Sequence, residues 1–386
     1  MAEAFPRTGR DLRLDFFRGL SLFFIFIDHI PENLLSNFTL HSVAFCDAAE
    51  VFIFISGYTA ALVYGRSLRQ HGALFATAQI YRRVWQLYVA HIFLFMIFTA
   101  EVSYAVLAVN NPMYNEELRV GDFLQEPHIA IIKALLLQFQ PTFLDILPLY
   151  IVLLGSFPLV LLALERGPLW ALVPSAALYA VTLRHGWGLP GYPTGSVWYF
   201  NPLAWQFLFV IGASAGHARV SGRWPFPHGP WLSQLAVALS ALFILINLSW
   251  LLHWLYDPVP AILAKQLLSF TTDKTNLAPL RLLNFLVLAL ATVYFVRPDS
   301  AFLGWRISAP IILCGQNSLY VFCLSIVLAV CAHFILAEFY SALPMQIVVN
   351  LVGFALMIGT ASLIAWYRRA STSGTPRGPV PATPSE

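Results

Sequence analysis

Apolar residues run along this chain in long blocks, not in the strict alternation of strands or the narrow stripe of a soluble helix. A helix needs about 20 mostly apolar residues to cross a bilayer. Blocks of that kind recur near 14–31, 44–65, 84–109, 144–164, 168–184, 201–217, 231–252, 280–296, 308–336 and 344–366. The pattern predicts an all-α, polytopic integral membrane protein with about ten transmembrane helices. A shorter apolar piece, Ile129 to Phe139, predicts a re-entrant or interfacial helix leading into the fourth span. The block near 308–336 is longer than a bilayer requires, so a tilted helix or one running past the lipid is expected there. From Ser371 to Glu386 the chain turns to Ser, Thr, Pro and Gly, a composition that buries no core. The expected organisation is one membrane domain over 1–370 and a disordered cytoplasmic tail over 371–386.

Composition agrees with lipid as the solvent. The chain is 59% hydrophobic and 11% charged, against about 25% charged in ordinary soluble domains. The net charge of +3 is small and points to no nucleic acid; the placement of the charges is what informs. With both termini in the cytoplasm, only Arg119, Lys133, Arg184, Lys265, Lys274 and Arg281 of the 22 basic residues fall outside. That leaves sixteen (22 minus these six) inside, the bias expected of cytoplasmic loops. The four cysteines, Cys46, Cys314, Cys323 and Cys331, have no metal-ligand spacing and read as apolar packing residues, with no metal site and no disulfide framework expected. Arg18 and the pair Asp28–His29 interrupt the first apolar stretch, which argues against a cleaved signal peptide and for a first span.

Ionisable groups inside spans cost several kcal/mol, roughly 2.5 to 3.5 on insertion scales, so each one is a candidate for function. Arg18 and His29 are eleven residues apart in the first span. At 3.6 residues per turn that is three turns, so they share a face about 16 Å apart along the axis. A neutral imidazole can take a proton from a hydroxyl and return it to a leaving group, which acyl transfer requires. An isolated intramembrane His more often just bonds a neighbouring helix; Arg18 and Asp28 nearby favour the functional reading. The second span opens Asp47-Ala-Ala-Glu50 and continues to Tyr58, with the two acids on one face. Glu50 lies at about the depth of His29, where a carboxylate can orient an imidazole. Arg82 and Arg83 open the third span and suit phosphates, though an Arg doublet is equally a topology signal. Asp47, Asp145, Trp198 and Asn201 fall on the outer side as candidates to bind a sugar, although Trp198 and Asn201, with Tyr199 and Trp205, equally read as an interfacial aromatic belt.

Four stretches resemble the OpgC family of bacterial inner-membrane proteins: Arg10 to His29, Asp47 to Tyr58, Phe139 to Tyr150, and Gly315 to Phe322. More distantly, an Arg followed by ten residues and a His is similar to the acyltransferase-3 superfamily. The resemblance implies succinylation of a periplasmic glucan, with acyl-CoA as co-substrate and no tightly bound cofactor. It also implies a catalytic His29, a supporting Arg18, and donor binding by Arg82 or Arg83. The third-span motif here lacks the Pro of acyltransferase-3 relatives, and Gln316-Asn317 stands where a more basic or His-containing pair is expected. The expected partners are acyl-CoA, a glycan and the bilayer, and a homo-oligomer is compatible with the sequence. Two rivals remain: a secondary transporter or glycan exporter with Asp28, His29 and Glu50 as a proton relay, and a non-catalytic member of a glucan-synthesis complex.

Overall fold

The computed structural model describes residues 10–109, 118–222, 229–253 and 272–373. Glu116, Glu117, Lys265 and the tail from 374 onward lie outside the described residues.

Among the described residues the chain is all-helical. In order come α1 (Leu12–Asp28), a short α2 (Leu40–Val43), α3 (Ala48–His71), α4 (Ala73–Val109), the small α5 (Gly121–Gln125) and α6 (Pro127–Leu135). There follow α7 (Ile146–Arg166), α8 (Pro168–His185), α9 (Pro202–Ser221), α10 (Pro230–His253), α11 (Pro279–Phe295), α12 (Ser308–Gln316), α13 (Ser318–Glu338) and α14 (Leu343–Ser373). Five of them, α6, α8, α9, α10 and α11, begin on proline, whose missing N–H costs nothing in the first turn.

Among the described residues, six helices are long and apolar enough to cross a membrane: α3, α4, α7, α10, α13 and α14. The other expected spans are helices too, but shorter or less apolar. α9 shows why. Its run from Leu208 to Ala218 is buried on every side, so protein and not lipid surrounds it and its small residues serve packing. α10 and α14, by contrast, leave much of their apolar surface open, Leu242, Leu245, Leu351, Val352 and Leu363 among it.

Three boundaries differ from expectation. α4 begins at Ala73, eleven residues before 84, and its 37 residues span about 55 Å. Arg82 and Arg83 therefore sit well inside it and not at its start. The block 308–336 is two helices, broken at Asn317, whose Nδ2 donates to the Leu313 carbonyl at 3.0 Å. A side-chain amide that competes for backbone groups in this way favours a helix break. Finally, Ser371 to Ser373 still continue α14.

Glycines bring the central helices into backbone contact. A Cβ on Gly57 of α3 would fall on the Phe209 carbonyl of α9, and one on Gly212 or Gly216 on the carbonyls of Phe54 or Tyr58. In the same way Gly19 of α1 abuts the Ile311 carbonyl and Gly315 of α12 abuts that of Asp15. Only a residue without a side chain permits this approach. The two seams lock α3 to α9 and α1 to α12, and hold the residues described next.

Candidate active site

His29 caps the C-terminus of α1. Its ring lies over Phe143, with centroids 4.3 Å apart, and its buried Nδ1 has no hydrogen-bond partner among the described residues. Phe143 is held at φ 74°, a left-handed backbone that a bulky residue rarely adopts and that marks a constrained loop. His29 lines a cavity of about 1310 Å³ together with Asp28, His41, Asp47, Asp145, Trp198, Lys274 and Arg281.

The N-terminus of α3 supplies a buried charge cluster. Asp47 and Glu50 form a capping box, with Asp47 accepting from the Ala49 N–H at 2.8 Å and Glu50 from the Asp47 N–H at 2.9 Å. Arg281 of α11 donates through Nε to Glu50 at 2.8 Å and pairs with Asp47 at 3.2 Å. Lys274 pairs with Asp47 at 2.7 Å. Burial pulls the Lys274 ammonium down in pKa, but the Asp47 carboxylate outweighs it and holds the group above its ordinary value. Two acids thus meet two cations, which is how buried charge is tolerated.

Asp28 has its own partners. It accepts from the Thr39 hydroxyl at 2.7 Å and lies 3.4 Å from Nδ1 of His41. The hydrogen bond that the His41 imidazolium can donate to the Asp28 carboxylate holds the pKa of His41 above the ordinary imidazole value.

A second cavity of about 200 Å³ is lined by Arg18, Arg83, Ser56, Thr59, Tyr64, Tyr150, Ser318 and Phe322. Arg18 donates to Thr59 at 2.9 Å, and its buried Nε has no partner among the described residues. Phe322 lines both cavities; it is 2% exposed and packs near Phe52, with ring centroids 6.4 Å apart.

Of the residues singled out in the sequence, His29, Asp47, Asp145 and Trp198 meet at the large cavity, and Arg18 and Arg83 at the small one. Arg82 is exposed and lines neither. Two expectations need correction. Glu50 is fully buried, and its oxygens are taken by Arg281 and the Asp47 N–H; its partner is a guanidinium and not His29. Asn201 lies off the cavity: it caps α9 through Leu203 N–H and donates to the Trp187 carbonyl and to Asn276. Its role is to hold loops.

Sequence reasoning missed Lys274, Arg281 and His41 as site residues. Lys274 and Arg281 did carry a signal, since both were among the six basic residues on the outer side. His41 carried none, lying in a short stretch between spans.

Among the described residues, an all-helical chain with several helices long and apolar enough to cross a membrane, and a cavity lined by charged groups, points to a membrane protein. A profile of the OpgC protein family matches residues 10–369, and the chain belongs to that family. Searches of curated proteins and of solved structures returned no match.

Proposed function

We propose that the protein is a membrane O-acyltransferase. It moves an acyl group, succinyl as first choice, from cytoplasmic acyl-CoA to a hydroxyl of a periplasmic glucan or related glycan across the bacterial inner membrane. The observation that carries this reading is the pair of cavities that share Phe322, one bearing His29 and carboxylates, the other bearing Arg18 and Arg83.

The small cavity offers guanidinium groups suited to an anionic donor. The large one offers Asp28, Asp145 and aromatic surface suited to sugar hydroxyls and ring faces. Arg18 and His29 stand about 16 Å apart along α1, so a donor with a long thin arm can keep its phosphates at one cavity and present its thioester at the other. His29 then acts as general base. As the glycan oxygen bonds to the thioester carbon, its proton passes to Nε2, the C–S bond breaks, and the departing thiolate takes the proton from His29. Atoms and charge balance without a resident cofactor. Asp47 and Glu50 act indirectly, by fixing Lys274 and Arg281 at the cavity wall.

The test is release of CoA thiol from succinyl-CoA by purified protein, with and without glucan, for wild type and His29→Ala. Glucan-dependent release that is lost in the variant supports the reading. Folded wild-type protein that releases no thiol from a panel of acyl-CoA donors sinks it. Gradient-driven movement of an unmodified solute would put transport in its place.

A further inference from the structure

The wall of the large cavity is not uniform in hydrogen-bond character. Asp28, Asp122 and Asp145 line it, and ionised carboxylates only accept. Trp198, Tyr199 and Lys274 also line it, and these are donors: indole and ammonium donate only, and a phenol can donate. Trp198 is 5% exposed, and its buried Nε1–H has no partner among the described residues. A buried indole N–H ordinarily finds an acceptor. Lys274 gives one N–H to Asp47 at 2.7 Å and stands 5.4 Å from the Phe200 ring centroid. Two of its three donors remain for a ligand.

The loop that carries Lys274 is over-determined. The Trp205 indole donates to the Lys274 carbonyl at 3.0 Å, Tyr179 to the Leu277 carbonyl at 2.6 Å, and Thr275 N–H to Asp273 at 2.8 Å. Together they hold Leu277 at φ 50°, a left-handed conformation persisting only where its surroundings enforce it. The Asn201 N–H donates to the Thr275 carbonyl at 3.0 Å, which ties the segment beginning at Trp198 to the Lys274 loop. Asp47 retains Arg281 at 3.2 Å and the Ala49 N–H at 2.8 Å, so turning Lys274 toward a ligand does not strip that carboxylate.

We infer that Trp198 and Lys274 form a carboxylate subsite that holds the free carboxylate of a dicarboxylic acyl group and selects it over uncharged acyl groups. The inference rests on the transferase reading. An acyl arm that passes Phe322 leads with its distal end, so its carboxylate enters the large cavity ahead of the thioester carbon. Arg18, in the small cavity, stays with the donor's phosphates.

The test combines binding and turnover on the purified full-length protein. Monomethyl succinate, methyl butyrate and methyl glucuronide are titrated calorimetrically against wild type, Lys274→Gln and Lys274→Arg. Wild type is expected to bind monomethyl succinate at least about tenfold tighter than methyl butyrate, with the gap closed in Lys274→Gln and kept in Lys274→Arg. Preference for methyl glucuronide over monomethyl succinate would make the anion acceptor-borne and overturn the inference. In turnover with neutral glucan, Lys274→Gln should lose at least about tenfold more in kcat/KM for succinyl-CoA than for butyryl-CoA. Equal losses on both donors would reduce Lys274 to a structural partner of Asp47. Should wild type turn over neither donor while Lys274-dependent binding of monomethyl succinate persists, the subsite stands and the transferase reading falls.

Discussion

Replacing Arg281 by Met removes the cation that neutralises Glu50 and half of what neutralises Asp47. Glu50 is 0% exposed and Arg281 9%, so water cannot take over the lost contacts. After the change Asp47 still has Lys274 at 2.7 Å and the Ala49 N–H at 2.8 Å. Glu50 keeps only the Asp47 N–H at 2.9 Å, against a guanidinium that now donates to it at 2.8 Å. Removing one partner of a buried pair leaves an uncompensated charge and costs about 3–5 kcal/mol. Glu50→Gln in the Arg281→Met background removes that charge, and the combined loss should fall to about 1–2 kcal/mol. Unfolding of detergent-purified protein in a denaturant series, followed for wild type, both single variants and the double, completes a cycle that isolates the pair. Arg281→Met within about 1 kcal/mol of wild type would refute the assignment of Glu50 as a structural anchor. So would a double variant no more stable than Arg281→Met, because the cost would then lie elsewhere than in the orphaned carboxylate.

Two further outcomes are expected. Phe322→Ala should join the two cavities, at a stability cost of about 3–5 kcal/mol for a buried Phe; proteoliposomes of the variant should leak a small polar dye that wild type retains, and equal retention would show that Phe322 is not the divider. Gly212→Leu should fail to accumulate as folded protein, because its Cβ falls on the Phe54 carbonyl and a side chain there must drive α3 and α9 apart; Gly155→Leu, whose Cβ meets nothing within 4 Å, is the control and should express like wild type.

Much of the fold was legible because membrane helices announce themselves by unbroken apolar length. What was not legible has specific causes. The break at Asn317 depends on one side-chain amide turning onto the Leu313 carbonyl, which hydropathy does not register. α4 extends back to Ala73 through residues too polar for a bilayer block. In the site, His29, Asp47 and Asp145 stood out because each breaks an apolar run. Their partners did not, since Arg281 lies 231 residues from Glu50 and 234 from Asp47, and only tertiary packing pairs them. Glu50 shows the limit most clearly. Helical depth placed it level with His29, yet a carboxylate bonds the strongest donor within reach, and that donor comes from α11. The doublet was resolved by rotation. Adjacent residues on a helix differ by about 100°, so Arg83 enters the small cavity while Arg82 looks away.

The break at Asn317 is also what lets one helix serve two cavities. α13 starts at Ser318, which lines the small cavity beside Arg18 and Arg83. The first N–H groups of a helix have no internal partner and carry about half a positive charge. An unbroken helix over 308–336 would have spent those groups on its own backbone. Four residues later, about one turn, Phe322 reaches both cavities. On the proposed reading this geometry has a consequence for the reaction. The same turn that favours anions on the donor side positions the side chain past which the acyl group moves. The break itself is fixed from the α1 side, where Gly315 abuts the Asp15 carbonyl and Gln316 donates to the Asp15 carboxylate at 3.4 Å. The late Gly315-to-Phe322 motif and the first-span motif are therefore two halves of one construction. A bulky residue at Gly19 or Gly315 should disturb the cavities by moving α13 rather than by touching any group within them.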